Sequence, residues 1–171
     1  MKKIIFFDGD GTIWYPKKTR HAKHPIWLYR DRRVKNHTNH LIMTPSALST
    51  IKKLKRMGII TIILSTHPHP PKEADALIKH KVKHFKLEEL FDETHATRAY
   101  HWSKGEFMLR ILKRRKIPKS KALMVGDSYK WDYQPAITRG IDALLIRSAY
   151  EPMTKRIKRG INRLKDVFKY L

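Results

Sequence analysis

The sequence predicts an α/β fold in which a mostly parallel sheet is covered by helices on both faces. Four short segments are continuously apolar, as strands buried on both faces of a sheet are. Between them lie stretches in which apolar residues recur at helical spacing. Strands that alternate with helices in this way form parallel β-α units, whose ligands bind beyond the carboxyl ends of the strands. The length of 171 residues suits one domain, which we expect to span residues 1–171.

The first half of the chain predicts two strands and two helices. The first strand is the apolar segment Lys3–Phe7. Thr44–Pro45 has the residue types favoured at the N-cap and at the first position of a helix, and Gly58 ends that helix. The second strand, Ile59–Leu64, follows at once. A short helix over Glu73–His80 comes next.

The second half of the chain predicts two more strands and two more helices. A weak candidate for an edge strand lies within Asp92–Tyr100. Ser103–Glu106 has the spacing of a capping box and opens a helix. Buried strands follow at Ala122–Val125 and Ala143–Ile146. Apolar residues at helical spacing predict a C-terminal amphipathic helix over residues 152–171, and these are Ile157, Ile161, Leu164, Phe168 and Leu171.

The composition restricts the class of protein. Cysteine is absent, which excludes disulfides and thiolate metal sites, and no apolar run is long enough to span a membrane. The apolar run near the N-terminus is too short for a signal peptide, so we expect a cytoplasmic protein without a membrane partner. The formal net charge of +23 attracts polyanions and phosphorylated small molecules, or serves only solubility. Nucleic acid is therefore an open alternative as a partner, and the sequence favours no particular oligomeric state.

Two aspartates follow the first predicted strand at alternate positions. Residues 4–12 read IIFFDGDGT, so Asp8 and Asp10 stand on a glycine-rich turn at the end of a buried strand. Like charges this close are costly unless a cation or a chemical task requires them. A hard metal ion combined with phosphoryl chemistry would meet that requirement. The alternative interpretation is an ordinary Asp-Gly turn of a hairpin.

Further polar residues stand at the ends of predicted elements. Ser65 and Asp127 come directly after buried strands, so a parallel sheet would gather them with Asp8 in one crevice. Each could instead be an ordinary cap or turn residue. Lys104 lies in the first turn of a capped helix, where a cation opposes the helix dipole, and such misfits are expected at functional sites. Asp132 either caps a helix or belongs to the same crevice.

Together these residues resemble the four motifs of the haloacid dehalogenase superfamily. Its first motif, DxDGT at the end of the first strand, matches Asp8–Thr12. An apolar strand that ends in serine matches Ile59–Ser65, and a lysine before a helix matches Lys104. The last motif, GDSxxxD, matches Gly126–Asp132. Within the superfamily the chain is most similar to the small magnesium-dependent phosphatases, which implies a three-layer Rossmann-like fold without a large cap domain.

The resemblance implies a phosphatase that uses Mg²⁺ as its cofactor and a phosphorylated molecule, small or macromolecular, as its substrate. Asp8 would attack phosphorus and form an aspartyl-phosphate. Asp10 would protonate the leaving oxygen and then take a proton from the attacking water. The Asp8 carboxylate, the backbone carbonyl of Asp10 and Asp127 would hold the metal ion in an oxygen-only shell.

The resemblance also implies which residues support that chemistry. Ser65, Thr66 and Lys104 would bind the remaining phosphoryl oxygens and offset their charge. Asp132 and Ser128 would orient the groups that contact the metal ion and the phosphate. A dehalogenase that releases halide needs neither the proton donor at Asp10 nor a magnesium site, so the residues favour phosphate transfer.

Residues 14–40 have no clear period and are long for a loop. This 14–40 segment carries eight basic residues against one acidic residue, Asp31, and aromatic residues are interleaved with them. We expect it to be a basic aromatic flap insertion over an otherwise open site. The residues expected to contact the leaving group are Trp14, Trp27, Tyr29, Arg30 and Arg32.

Three functions are compatible with these patterns. The first is a magnesium-dependent phosphomonoesterase of unspecified substrate. The second is a phosphatase of polynucleotide ends, which an open site and a basic aromatic flap would suit. The third is a basic nucleic-acid-binding protein with an idle catalytic core, against which the intact acidic set argues.

Overall fold

The computed structural model describes residues 1–66, 71–100 and 102–171. Eight strands occur in these residues. Six of them are β1 Ile4–Phe7, β4 Ile60–Ser65, β5 Glu93–Ala96, β6 Ala122–Gly126, β7 Asp142–Ile146 and β8 Gly160–Ile161. They form one parallel sheet in the order β5-β4-β1-β6-β7-β8. The other two, β2 Trp14–Pro16 and β3 Leu41–Met43, form a separate antiparallel pair.

Five α-helices connect these strands within the described ranges. They are α1 Ile26–Arg30, α2 Ala47–Arg56, α3 Pro71–His84, α4 Lys104–Arg114 and α5 Gln134–Ile137. A π-helical turn, Tyr129–Tyr133, leads directly into α5. Among the described residues, no helix is both long and apolar enough to cross a membrane.

Helices cover both faces of the sheet. Ile5 and Phe7 of β1 pack with residues of α2 and α3, whereas Ile4 and Phe6 pack with residues of α4 and α5. Successive strand side chains point to opposite faces, so a strand covered on both sides must be apolar at every position. The predicted three-layer α/β fold is confirmed, and the described residues include no large cap domain.

The register of the central strands brings their carboxyl ends to one level. Phe7 at the end of β1 is aligned with Ile63 of β4 and with Val125 of β6. Asp8, which follows Phe7, is therefore beside the ends of both neighbouring strands. The register therefore places the polar residues that follow these strands at one edge of the sheet.

Several predicted elements differ from the structure in their boundaries. The helix predicted to start at Thr44–Pro45 begins at Ala47, after Ser46 in a left-handed conformation with φ of 65°. The N-cap is therefore Ser46 and not Thr44. The Thr44 hydroxyl donates instead to the Thr12 carbonyl at 2.7 Å. The helix predicted over Glu73–His80 extends over the whole of α3. The capping box is confirmed, since the Ser103 side chain accepts from the backbone N–H of Glu106 and the Glu106 carboxylate accepts in return.

The C-terminal amphipathic helix predicted over residues 152–171 is wrong. The structure has β8 there, followed by a short 3₁₀ helix over Leu164–Tyr170. Ile157 packs with the α4 side of the sheet, whereas Ile161 and Leu164 pack with the α2 side. Because β8 pairs at the edge of the sheet, the chain passes from one face to the other, and its apolar residues never lie on one helical stripe.

Candidate active site

Asp8 and Lys104 form a buried ion pair at the centre of the sheet edge. Asp8 follows β1 and is 7% exposed, and Lys104 is the first residue of α4 and is 3% exposed. The Lys104 Nζ donates to Asp8 Oδ1 at 2.5 Å. Burial raises the pKa of Asp8 to about 7, because neighbouring carboxylates reinforce desolvation and Lys104 only partly opposes it.

Lys104 is also bound by a second carboxylate. Its Nζ donates to Asp132 Oδ1, so the ammonium lies between two acids. Burial alone would lower the pKa of Lys104, but Asp132 and Asp8 raise it above its ordinary value. The cation that opposes the α4 dipole is therefore held between two buried carboxyl groups, which explains the misfit noted in the sequence.

Three carboxylates converge where a metal ion would be expected. Oxygen atoms of Asp8, Asp127 and Asp132 lie within 4.8 Å of one another, and all three residues are buried. Burial, Asp8 and Asp132 raise the pKa of Asp127 well above its ordinary value. An all-oxygen donor set of this kind fits a hard divalent cation such as Mg²⁺. The side chain of Asp10 is not part of this cluster.

Glycine is required where the backbone approaches these acids. A Cβ added to Gly11, whose φ is 85°, would lie 2.1 Å from Asp127 Oδ2. A Cβ added to Gly126 would lie 2.3 Å from the Asp132 carboxylate. The glycines of the first and last motifs therefore make room for the carboxylates that converge here.

The loop after β6 fixes the two acids of the last motif. Asp132 Oδ2 accepts from the backbone N–H of Ser128 at 3.0 Å, while its other oxygen holds Lys104. The Ser128 side chain accepts from the Trp131 backbone N–H at 3.4 Å. Asp127 Oδ2 accepts from the Tyr150 hydroxyl at 2.5 Å, a contact that the sequence did not predict.

Asp10 belongs to a separate polar cluster. Its Oδ1 accepts from Trp14 Nε1 at 3.0 Å and from the Tyr29 hydroxyl at 2.5 Å, and its Oδ2 accepts from Lys81 Nζ at 2.9 Å. Lys81 is buried, and burial lowers its pKa although Asp10 opposes that shift. Among the described residues, Trp14, Tyr29 and Lys81 therefore hold the Asp10 carboxylate, and Lys81 carries a compensating charge.

Lys81 is a site residue that the sequence analysis missed. It lies on α3 beside Ala74, Ile78 and Val82, which are all buried. In a helix these positions share one face, so a lysine stands in the middle of an apolar stripe. That interruption was the available signal, because a lysine is rarely fully buried unless it is paired.

One open cavity joins both polar clusters. It has a volume of about 960 Å³ and is lined by every residue predicted to act in catalysis, in metal or phosphate binding, or in their support. These residues are Asp8, Asp10, Ser65, Thr66, Lys104, Asp127, Ser128 and Asp132. Ser65 is buried at the end of β4, and the Thr66 hydroxyl lies 3.2 Å from that of Thr97. The lining also includes residues that were not predicted, among them Trp102 and Trp131.

The sequence profile of the haloacid dehalogenase-like hydrolases matches residues 2–146, the range that contains all four motifs. The chain belongs to the haloacid dehalogenase-like hydrolases. No curated protein matches its sequence.

Solved structures of haloacid dehalogenase-like proteins share the fold of this hydrolase. A family hydrolase from Streptococcus pneumoniae has a TM-score of 0.75 at 15% identity, with 99% of this chain and 98% of that chain covered. A haloacid dehalogenase phosphatase from Thermococcus onnurineus has a TM-score of 0.73 at 17% identity, with 99% and 97% covered. A predicted phosphoglycolate phosphatase from Haemophilus somnus has a TM-score of 0.74 at 14% identity, with the same coverage.

The five residues that were expected to contact a leaving group lie in different environments in this hydrolase. Tyr29 lines the active-site cavity and reaches Asp10. Trp14 was placed wrongly, because it is 0% exposed, stacks on Phe85 in the core and can reach no substrate. The other three lie farther out. Trp27 and Arg30 line a second cavity, and Arg32 is exposed and lines neither cavity.

Proposed function

We propose that the protein is a Mg²⁺-dependent phosphomonoesterase that acts through an aspartyl-phosphate on Asp8. The observation that carries this proposal is the position of the Asp8 carboxylate. It lies at the floor of an open cavity, held by Lys104 and next to two further buried carboxylates. A nucleophile with a buried cation beside it and a hard-cation site around it suits an attack on a phosphoryl group.

In the first step, an Asp8 oxygen forms a bond to phosphorus while the bond from phosphorus to the leaving oxygen breaks. Lys104 donates to Asp8 at 2.5 Å, and this contact fixes the direction from which the nucleophile approaches. Asp10 would give the leaving oxygen a proton that it has taken from water, in the second step of the preceding turnover or from solvent. Lys104, Ser65 and Thr66 line the cavity near Asp8 and would offset the charge on the non-reacting phosphoryl oxygens.

In the second step, water attacks the phosphorus of the aspartyl-phosphate. Asp10 takes a proton from this water, the bond between phosphorus and the Asp8 oxygen breaks, and inorganic phosphate leaves. The contacts of Asp10 suit this base role, because Lys81 balances its charge and Trp14 and Tyr29 hold its orientation. The same residue thus serves both steps.

The donor set supports Mg²⁺ as the metal ion. Asp8, Asp127 and the backbone carbonyl of Asp10 would hold it, and Asp132 keeps Lys104 in place beside them. When bound, the ion would neutralise charge on the phosphoryl oxygens and the carboxylates. The pKa values of Asp8 and Asp127 are raised because these carboxyl groups are buried close together. A bound Mg²⁺ would offset that repulsion, which supports a metal ion at this position.

The names of two structural relatives agree with this proposal, since one is called a phosphatase and another a predicted phosphoglycolate phosphatase. The direct test is hydrolysis of p-nitrophenyl phosphate in Mg²⁺ buffer. Asp8→Asn should lose activity by at least about a thousandfold, the scale expected when a nucleophile is removed. Glu88→Gln, which removes an exposed acid, is the control and should retain it.

Circular dichroism and melting temperature should first show that Asp8→Asn is folded. Excess EDTA should abolish wild-type activity, and added Mg²⁺ should restore it. Substantial turnover by folded Asp8→Asn would rule out the proposed nucleophile. Full activity in EDTA would rule out the metal requirement.

A further inference from the structure

A second cavity, which we call the basic cavity, adjoins the active site across α1. It has a volume of about 650 Å³, and its charged lining consists of Lys18, Lys23, Arg30, Arg33 and Asp31. We propose that the basic cavity binds a second phosphate group carried by the leaving group. This inference rests on the proposed phosphatase function and assigns it a substrate class: phosphomonoesters whose leaving group bears a further phosphate.

The basic cavity shares part of its wall with the active-site cavity. His24 and Ile26 line both cavities, so only residues of this one short segment lie between them. On α1, Tyr29 reaches Asp10, while the next residue, Arg30, lines the basic cavity. Asp10 is the residue that would protonate the leaving oxygen, so a leaving group that extends past Tyr29 enters the basic cavity.

Most of the positive charge in the basic cavity is uncompensated. Arg33 is neutralised by Asp31 through two hydrogen bonds, at 2.9 Å and 2.8 Å. Among the described residues, no carboxylate forms a salt bridge with Lys18, Lys23 or Arg30. Three cations therefore face a cavity whose one acid is already paired. An anion can bind them without displacing an internal partner.

The wall of the basic cavity is held in place. Trp27 Nε1 donates to the Thr19 hydroxyl at 3.0 Å, and its ring packs against the apolar core. The Lys23 ammonium lies 5.7 Å from the centre of that ring. These contacts fix one side of the cavity before a ligand arrives, which reduces the entropy lost on binding.

The two cavities differ in their balance of charge. The active-site cavity is lined by four aspartates and two lysines, Lys104 and Lys130, and Lys104 is bound between two of the aspartates. The basic cavity has four cations against one acid, so a second phosphate is attracted there more strongly than to the aspartate-lined site. The basic cavity therefore supplies an excess of positive charge on the leaving-group side.

The test compares three thymidine phosphates as substrates for the wild-type enzyme with Mg²⁺. They are thymidine 5′-phosphate, thymidine 3′,5′-bisphosphate and the dinucleotide pTpT, and release of the 5′-phosphate is followed by chromatography of the products. A second phosphate held by charge-assisted hydrogen bonds should raise kcat/KM by about tenfold or more over the monophosphate. The advantage should shrink as salt is raised.

Arg30→Gln is the decisive variant, and Arg32→Gln is its matched control. Both remove one exposed arginine from the same short stretch, but only Arg30 lines the basic cavity. In Arg30→Gln, the ratio of kcat/KM for the second-phosphate substrates to that for thymidine 5′-phosphate should fall towards one. Arg32→Gln should keep the wild-type ratio.

The outcomes separate the inference from the function on which it rests. A wild-type ratio near one, or an equal fall in both variants, overturns the second-phosphate site while the phosphatase function stands. No hydrolysis of thymidine 5′-phosphate or p-nitrophenyl phosphate overturns the function itself. A gain for pTpT points to strand ends as the source of the second phosphate, and a gain for the bisphosphate alone points to small bisphosphates. Either gain supports the site.

Discussion

The ion pair between Lys81 and Asp10 can be tested by replacing the lysine with methionine. Methionine keeps much of the length of the side chain and removes the charge. The side chains of Lys81 and Asp10 are only 3% and 13% exposed, so the carboxylate would lose its countercharge in a largely buried position. Trp14 and Tyr29 would still donate to Asp10.

Removing one partner of a buried ion pair typically costs about 3–5 kcal/mol. Because Trp14 and Tyr29 still donate to Asp10, we expect Lys81→Met to lower the free energy of unfolding by about 3 kcal/mol. For a chain of this size that corresponds to a fall in Tm of about 6–12 °C. Lys79→Met is the matched control on α3. Lys79 pairs with Asp75 at the surface and is 62% exposed on its side chain, so its loss should cost less than about 1 kcal/mol.

The assay is urea unfolding followed by circular dichroism, for both lysine variants, for Asp10→Asn and for the double variant Lys81→Met with Asp10→Asn. The double variant removes both charges, so it should recover most of the stability that Lys81→Met loses. Equal losses in the two lysine variants would refute the reasoning. So would a double variant whose loss equals the sum of the two single losses, because that sum leaves no coupling between the charges.

Three other predictions concern the carboxylate cluster. Because the pKa of Asp8 is raised from 3.8 to about 7, the folded protein keeps a proton there that the unfolded chain has released. In EDTA, the contribution of Asp8 to the free energy of unfolding is therefore complete below pH 3.8 and is lost as the pH rises to about 7. The Tm of Asp8→Asn should consequently rise relative to that of the wild type across that interval. Gly11→Ala places a methyl group 2.1 Å from Asp127 Oδ2 and should weaken Mg²⁺ binding, measured by thermal-shift titration, by about tenfold or more. Asp10→Asn should lose most activity on phosphate esters with basic leaving groups and least on p-nitrophenyl phosphate, measured over a leaving-group series.

Each of these has its own contrary result. For Asp8→Asn, a difference in Tm that stays constant between pH 4 and pH 7 would show that the pKa is not raised. For Gly11→Ala, the control is Gly58→Ala, since Gly58 also has a positive φ, of 71°, but no atom within 4 Å of the added carbon. That control should lose about 1–2 kcal/mol of stability and keep Mg²⁺ affinity, so equal affinities in the two variants would contradict the steric argument. For Asp10→Asn, equal losses along the series would remove Asp10 from the acid role.

The sequence was informative where one local pattern decides both structure and position. Asp8, Ser65 and Asp127 each lie at the end of a continuously apolar segment, and parallel pairing leaves such ends only one edge to share. The Ser103–Glu106 spacing predicted the start of α4, and hence the place of Lys104. These residues could be located without knowing any distance, because the fold rule fixes where the strand ends meet.

The sequence was uninformative where a contact depends on a distant segment. Tyr150 reaches Asp127 from beyond the last motif, and Lys81 reaches Asp10 across 71 positions. Nothing in the sequence around Trp14 distinguishes a buried indole from one that is exposed on a flap. The predicted C-terminal helix failed for a related reason, since Ile157 and Ile161 fit a helical stripe but pack on opposite faces of the sheet.

The most direct test of the central claim is to trap the phosphorylated enzyme. Asp10→Asn should slow hydrolysis of the intermediate more than its formation when p-nitrophenyl phosphate, with its good leaving group, is the substrate. Acid quenching during turnover with Mg²⁺, followed by digestion and mass spectrometry, should then find a phosphoryl group on Asp8. Turnover without any phosphorylated Asp8 peptide, or a phosphoryl group on another residue, would contradict the account.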